Sequence, residues 1–181
     1  YEAELVADNL VMANLSGHDS HGVGMLPAYF DNLHAGGLKV NQHAEVVRDE
    51  GAVLVVDGNA GFGQVIGKES MDIAIARAKE RGVCVLAIRN SHHLCRIGAW
   101  AEQCAAAGLV SMHHTNVTGH GGIVAPFRGS DGRYVTNPYT AVMPATENNP
   151  ATLLDFATSF VAAGKIRVAR NKGVSKRRRA H

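Results

Sequence analysis

Residues Gly17-His18-Asp19-Ser20-His21-Gly22-Val23-Gly24-Met25-Leu26-Pro27 concentrate side chains that can move a proton. Histidine titrates near neutral pH, so an imidazole held at a helix junction is a natural proton donor or acceptor. Gly22 and Gly24 permit unusual backbone angles and the close approach of a ligand. The same stretch admits a purely structural reading, with Asp19 or Ser20 capping a helix and both imidazoles in water. A second group, Arg89-Asn90-Ser91-His92-His93, follows an apolar run at Val83–Arg89 and so stands where ligands commonly bind in open α/β sheets. His113 and His114 fall in an expected strand and point to opposite faces. The histidine spacings match no metal-ligand pattern, so no metal is expected.

The elements that must carry these groups follow from periodicity. Leu5, Val6, Leu10, Met12 and Ala13 predict a helix over residues 1–16. Leu26, Tyr29, Phe30 and Leu33 predict a short second helix, stopped by Gly36-Gly37. Glu45–Arg48 and Ala52–Asp57 read as strands. Gly58–Gly63 is a loop, and Gln64–Arg81 an amphipathic helix closed by Gly82. Val83–Arg89 predicts a strand buried on both faces. Ile97–Ala107 is a further helix; Leu109–Asn116, Tyr134–Met143 and Thr152–Phe156 are strands, with a loop at Gly119–Gly122. Strands alternating with helices predict a layered α/β core. The later strands lack long crossover helices, so part of the sheet is expected to be antiparallel and the sheet mixed. Three segments result: a helical segment at 1–38 with the Ser-His-Gly motif, a mixed-sheet domain at 39–164, and a basic tail at 165–181 outside the core.

Composition narrows the function classes. At 181 residues the chain can bury one sizeable core, and no apolar run approaches the ~20 residues of a membrane span. Three cysteines without a spacing pattern fit a reducing cytoplasm, which is the expected location. The net charge of +2 hides an asymmetry: residues 165–181 hold eight Lys or Arg and no acid, whereas residues 1–164 hold ten against sixteen acids. Lys176-Arg177-Arg178-Arg179 could meet nucleic acid, but no stacking aromatic accompanies the run and nucleic acid is not the expected partner.

The strand, loop and helix at 52–81 invite comparison with a dinucleotide-binding fingerprint. Gly61 and Gly63 lie at the turn, but Ile66 takes the place of the third glycine and no acidic residue follows the next strand. Arg89 there could suit a 2′-phosphate. Asp155, after an apolar strand, reads as a helix cap or as a charge at the sheet's edge. Periodicity alone ends at an α/β domain with a possible histidine-centred site.

As an ordered set, Ser20-His21-Gly22, Asp57-Gly58…Gly61-Phe62-Gly63-Gln64, Asn90-Ser91-His92-His93, Thr136-Asn137-Pro138 and Asp155-Phe156-Ala157-Thr158-Ser159 resemble the malate/L-lactate dehydrogenase family of NAD(P)-dependent oxidoreductases. The resemblance runs from residue 1 to about 174. It implies a three-layer α/β/α fold around a mixed, non-Rossmann sheet, with part of a smaller helical domain beside it. It also implies reversible hydride transfer between NAD or NADP and a 2-oxo or 2-hydroxy acid, in a homodimer. Carried over position by position, His21 is the proton donor and His93 a second histidine near substrate and cofactor. Cofactor contacts fall on His21, Cys95, Arg96, Ile97, Thr136, Asn137, Leu153, Leu154, Asp155, Phe156 and Ala157. Asp155 could also hold a catalytic imidazole in one tautomer.

Three departures qualify the resemblance. Met25 stands where many members carry an Arg suited to a substrate carboxylate, although the hydroxycarboxylate dehydrogenase branch shares the Met; carboxylate binding must come from elsewhere. Cys95 replaces a usual glycine, and a Cβ at positive φ there would cost on the order of 1 kcal/mol. Members run roughly twice as long, so the chain is expected to be a C-terminally truncated member, and a catalytically inactive domain with partial cofactor binding is the alternative.

Overall fold

The computed structural model describes residues 1–118, 121–159 and 163–173; the Lys176–Arg179 run lies outside them. Helix α1 covers Glu2–Leu15 and helix α2 Leu26–His34, with Pro27 in the first turn of α2. Two 3₁₀ turns, Asp19–His21 and Val23–Met25, join them. Val6, Leu10 and Ala13 of α1 pack with Tyr29 of α2, Leu38 and Cys95 in one buried cluster.

The strands divide over two three-stranded sheets, where the sequence predicted one. In the first, β1 (Glu45–Glu50) pairs antiparallel with β2 (Val53–Asp57), and β2 pairs parallel with β3 (Val85–Arg89), so the mixed pairing expected of the whole is found here. The second is purely antiparallel: β4 (Ser111–His114), β5 (Pro138–Met143) and β6 (Thr152–Ala157), with β5 central. The α/β class predicted from the sequence holds. β1 is an exposed edge whose Glu45, Arg48, Asp49 and Glu50 discourage pairing with another chain.

Helix α3 (Gly63–Arg81) departs from the amphipathic expectation. Its first turns are buried on every side, Gly63 through Gly67, and burial then fades along the axis instead of around it. It is a helix plugged end-on into the core. β3 also differs from expectation: Val83 and Val85 are exposed, because β3 is an edge strand. Helix α4 (Gly98–Ala106) sits against the second sheet, with Trp100, Ile97, Cys104 and Met71 forming a second buried cluster. The opposite face of that sheet carries exposed Met112, Met143 and Leu154.

Helix α5 (Ala163–Asn171) begins before the stretch that the sequence set apart as a tail. It packs on the 3₁₀ turn at Asp19–His21, with Gly164 close against Ser20. An abundance of basic residues concealed this contact.

Asp155 caps a helix, though not one that follows it in sequence. Its Oδ2 accepts the amide N–H of Gly98 at the start of α4 (3.0 Å), and its Oδ1 accepts the Thr140 hydroxyl (2.7 Å). One carboxylate thereby ties β5, β6 and α4 together. Truncating it in Asp155→Ala removes an N-terminal cap and orphans a buried hydroxyl, so urea denaturation should show a loss of about 2 kcal/mol. Gly63 is equally constrained: a Cβ there would stand 2.1 Å from the His93 carbonyl oxygen and 2.7 Å from the Leu94 Cα. Both are backbone, so Gly63→Ala forces the 93–94 turn away from α3 and should cost about 1–3 kcal/mol in the same measurement.

Candidate active site

The His-rich junction is held by Asn14 at the end of α1. Its Nδ2 donates to Asp19 Oδ1 (2.7 Å), and its Oδ1 accepts the Val23 amide (2.9 Å). A Cβ on Gly22 would fall 2.0 Å from that same Oδ1, so a side chain there would push the Asn14 amide off its two bonds. Neither Asp19 nor Ser20 caps a helix: Asp19 is engaged by Asn14, and the Ser20 hydroxyl pairs with His21 Nδ1 at 2.8 Å.

The glycine loop serves the second histidine group. Backbone bonds from Gly58 to Arg89, from Ala60 to Asn90 and from His92 to Gly61 zip the 58–61 and 89–92 loops together. Asp57 accepts the Asn59 amide, the Asn90 side chain and the Arg89 guanidinium, which together hold its carboxyl below the usual carboxylate range. Arg89 is therefore paired with Asp57 (2.9 Å), and the 2′-phosphate role considered for it finds no support here. The broken glycine fingerprint is a spacer that seats the 92–93 turn.

His93 stacks on His21 with ring centroids 5.3 Å apart and planes 25° from parallel. The two come from segments far apart in the chain, and the link is Cys95, whose thiol donates to the His21 carbonyl at 2.9 Å. Cys95 has φ +60°, the left-handed conformation in which a Cβ is strained. Its side chain is buried, and that burial pushes its thiol up to about 11. His93 Nδ1 in turn meets the Tyr29 hydroxyl at 2.8 Å.

Beside these rings lies a cleft of about 280 Å³ lined by His18, Ser20, His21, Cys95, Arg96, Ile97, Thr136, Pro138, Asp155, Phe156, Ala157, Ser159 and Lys165. Of the residues predicted from the sequence, His21, Cys95, Arg96, Ile97, Thr136, Asp155, Phe156 and Ala157 meet here. His93, Asn137, Leu153 and Leu154 do not line it; His93 is stacked on His21, and Leu153 and Leu154 occupy the other end of β6. Asp155 lines the cleft and its oxygens accept Thr140 and Gly98, while the side chains hydrogen-bonded to the imidazoles are Ser20 at His21 and Tyr29 at His93. Thr136 and Ser159 hydroxyls join across the β5 and β6 ends at 3.0 Å. Phe156 is held in place by its cross-strand partner Tyr139.

The cleft has two cations of different standing. Arg96, nearly buried, is clamped by Glu102 at 3.0 and 2.5 Å. Lys165, on the first turn of α5, makes no ion pair with a described residue. Sequence reasoning missed Lys165 because it fell in the presumed tail; the Gly164-Lys165 pair, shortly after the Asp-Phe-Ala-Thr-Ser motif, was the available signal. His18 also lines the cleft, and its buried Nδ1 has no hydrogen-bond partner among the described residues. No cluster of three or more metal-ligating side chains occurs among the described residues, and no helix among them is long and apolar enough to cross a membrane.

Comparison with known proteins gives the geometry its context. The family model described as malate/L-lactate dehydrogenase matches residues 1–176. Hydroxycarboxylate dehydrogenase B of Escherichia coli K12 is 52% identical over 173 residues, 96% of this chain and 47% of that protein. The malate dehydrogenase structure from Pyrococcus horikoshii superposes with TM-score 0.81 at 37% identity, over 92% of this chain and 46% of that one. The sulfolactate dehydrogenase structure from Methanocaldococcus jannaschii gives TM-score 0.82 at 35% identity, over 96% and 49%. The chain spans about half the length of these relatives. A motif set matched along nearly the whole chain, on a backbone that superposes this closely, means that the chain belongs to the malate/L-lactate dehydrogenase family.

Proposed function

We propose that this chain belongs to an oxidoreductase that interconverts a 2-oxo acid and its 2-hydroxy acid with NADH or NADPH, with His21 as the proton donor. The observation that carries this reading is the stacked His21–His93 pair beside a cleft whose lining draws on three of the five ordered motifs, Ser20-His21, Thr136–Pro138 and Asp155–Ser159. The donor set suits the nicotinamide end of such a cofactor: apolar Ile97, Pro138 and Phe156 can flank a flat ring. The Thr136 and Ser159 hydroxyls and the buried His18 Nδ1 can meet polar substituents. When bound, the reduced cofactor supplies the hydride.

The chain's own residues would do the rest. As the oxo carbon is reduced, its oxygen gathers negative charge and needs a proton from a poised acid. Ser20 holds the His21 ring by Nδ1, so transfer falls to Nε2, and the ring is kept at one edge of the cleft. The substrate carboxylate requires a cation. With Met25 in place of a guanidinium and Arg96 committed to Glu102, Lys165 is the group suited to it. Apolar Met112, Met143 and Leu154, exposed on the open face of the second sheet, support association of the chain as a homodimer.

The test mixes the purified chain with NADH or NADPH and a panel of 2-oxo acids, phenylpyruvate and 2-oxoglutarate included, and follows loss of the reduced-nicotinamide absorbance. His21→Ala should lower kcat by roughly 10²–10⁴; undiminished turnover would remove His21 from the donor role. Lys165→Ala should raise KM for the oxo acid at least about tenfold, the worth of one charge-assisted hydrogen bond, with kcat less affected. Lys165→Arg should restore part of the loss.

A further inference from the structure

A buried hydrogen-bond chain runs from α3 to the second histidine. Gln64, fully buried, donates from Nε2 to the Tyr29 hydroxyl oxygen at 2.9 Å, and that hydroxyl lies 2.8 Å from His93 Nδ1. The direction of the second bond follows from the first. An amide nitrogen only donates, so Tyr29 accepts from Gln64 and must place its own proton elsewhere. His93 Nδ1 is its other partner among the described residues, and Tyr29 is buried away from water. Burial also raises the tyrosine's pKa, so the hydroxyl keeps its proton.

The orientation of Gln64 is itself determined by its surroundings. Its amide also lies within hydrogen-bonding reach of the Cys95 sulfur, whose proton is already given to the His21 carbonyl. With its proton so placed, the sulfur can only accept. Turned over, Gln64 would present its oxygen to that sulfur and bury its N–H₂ without an acceptor. As placed, the unpartnered atom is the carbonyl oxygen Oε1, the more tolerable orphan.

We infer that Tyr29 and Gln64 are positioning residues that hold His93 as a neutral imidazole protonated at Nε2. Its Nδ1 lone pair is consumed by the tyrosine, so the ring offers its surroundings an N–H and not a base. Resting on the reaction proposed above, this divides the labour of the stacked pair: His21, which lines the cleft, exchanges the proton, and His93 is stacked on it as a fixed N–H donor and not as a second base. The same arrangement denies both ring nitrogens of His93 to a metal.

The experiment reads the tautomer directly. The whole chain, labelled with ¹⁵N-histidine, is measured by long-range ¹H–¹⁵N correlation near neutral pH, with His93 assigned by the signal lost in His93→Gln. Expected is an unprotonated Nδ1 and a protonated Nε2 in the wild type, with Tyr29→Phe shifting the tautomer ratio toward Nδ1–H by about fivefold or more, the worth of one hydrogen bond. A wild-type spectrum with Nδ1 protonated would overturn the inference without any variant, and so would a Tyr29→Phe spectrum identical to the wild type. The readout needs no turnover, so an inactive chain with the expected spectrum counts against the reductase reading alone. An active chain with the opposite tautomer counts against this assignment alone.

Discussion

The stacking of His21 on His93 depends on one buried seam. Gln64, Tyr29 and Cys95 come from α3, α2 and the turn before α4, and their hydrogen bonds fix the 3₁₀ junction against the 92–95 turn. The seam runs between the helical cluster of α1 and α2 and the end of α3, so the positions of both rings are determined by packing on either side of it. This explains why α3 enters the core end-on. Its first turn must bring the Gln64 amide to Tyr29 while the Gly63 backbone passes within touching distance of the His93 carbonyl. An ordinary amphipathic docking would leave one side of that turn in water.

The second sheet approaches the pair from the other side, and one carboxylate joins the apolar packing in fixing it. Asp155 points at the amide end of α4, where partial positive charge concentrates, and simultaneously holds Thr140 of the central strand. The cleft is thus the space between a seam of neutral hydrogen bonds and a charged cap. The side chains lining it from opposite sides, His21 from one and Phe156 and Ala157 from the other, belong to units that are each fixed by their own contacts. Lys165 enters from a third direction, on a helix whose first turn rests on Ser20. That makes the cation's position depend on the very turn that carries His21.

Much of this was legible in the sequence, and the reasons are local. Helices over residues 1–16 and Leu26–Leu33 were visible from apolar spacing, and Gly82 ended α3 as expected, at φ +83°. The strand segments were visible too, because β-branched runs flanked by turn residues need no partner to be recognised. Their division into two sheets was not, since pairing is a long-range property. The cap formed by Asp155 was anticipated in kind but not in place: a carboxylate 57 positions from the amide it accepts leaves no spacing signal. Lys165 was hidden by the charge of the residues after it. The seam was the least legible of all, because Tyr29 and Gln64 look like ordinary helix residues until the fold brings their hydrogen-bonding atoms together.

Cys95 shows how these levels combine. A side chain at positive φ is strained, and a glycine would relieve the backbone. The cysteine offsets that strain in two ways: its side chain fills the α1–α2 cluster, and its S–H reaches the His21 carbonyl. Both require the neutral thiol. Burial raises its pKa to about 11, so at neutral pH the proton needed for the bond stays on sulfur. The residue is therefore no nucleophile, despite lining the cleft; thiolate chemistry would forfeit the bond that brings the two histidines together. What looked from the sequence like damage at a glycine position is, in this fold, the fastening between the His21 segment and the turn that carries His93.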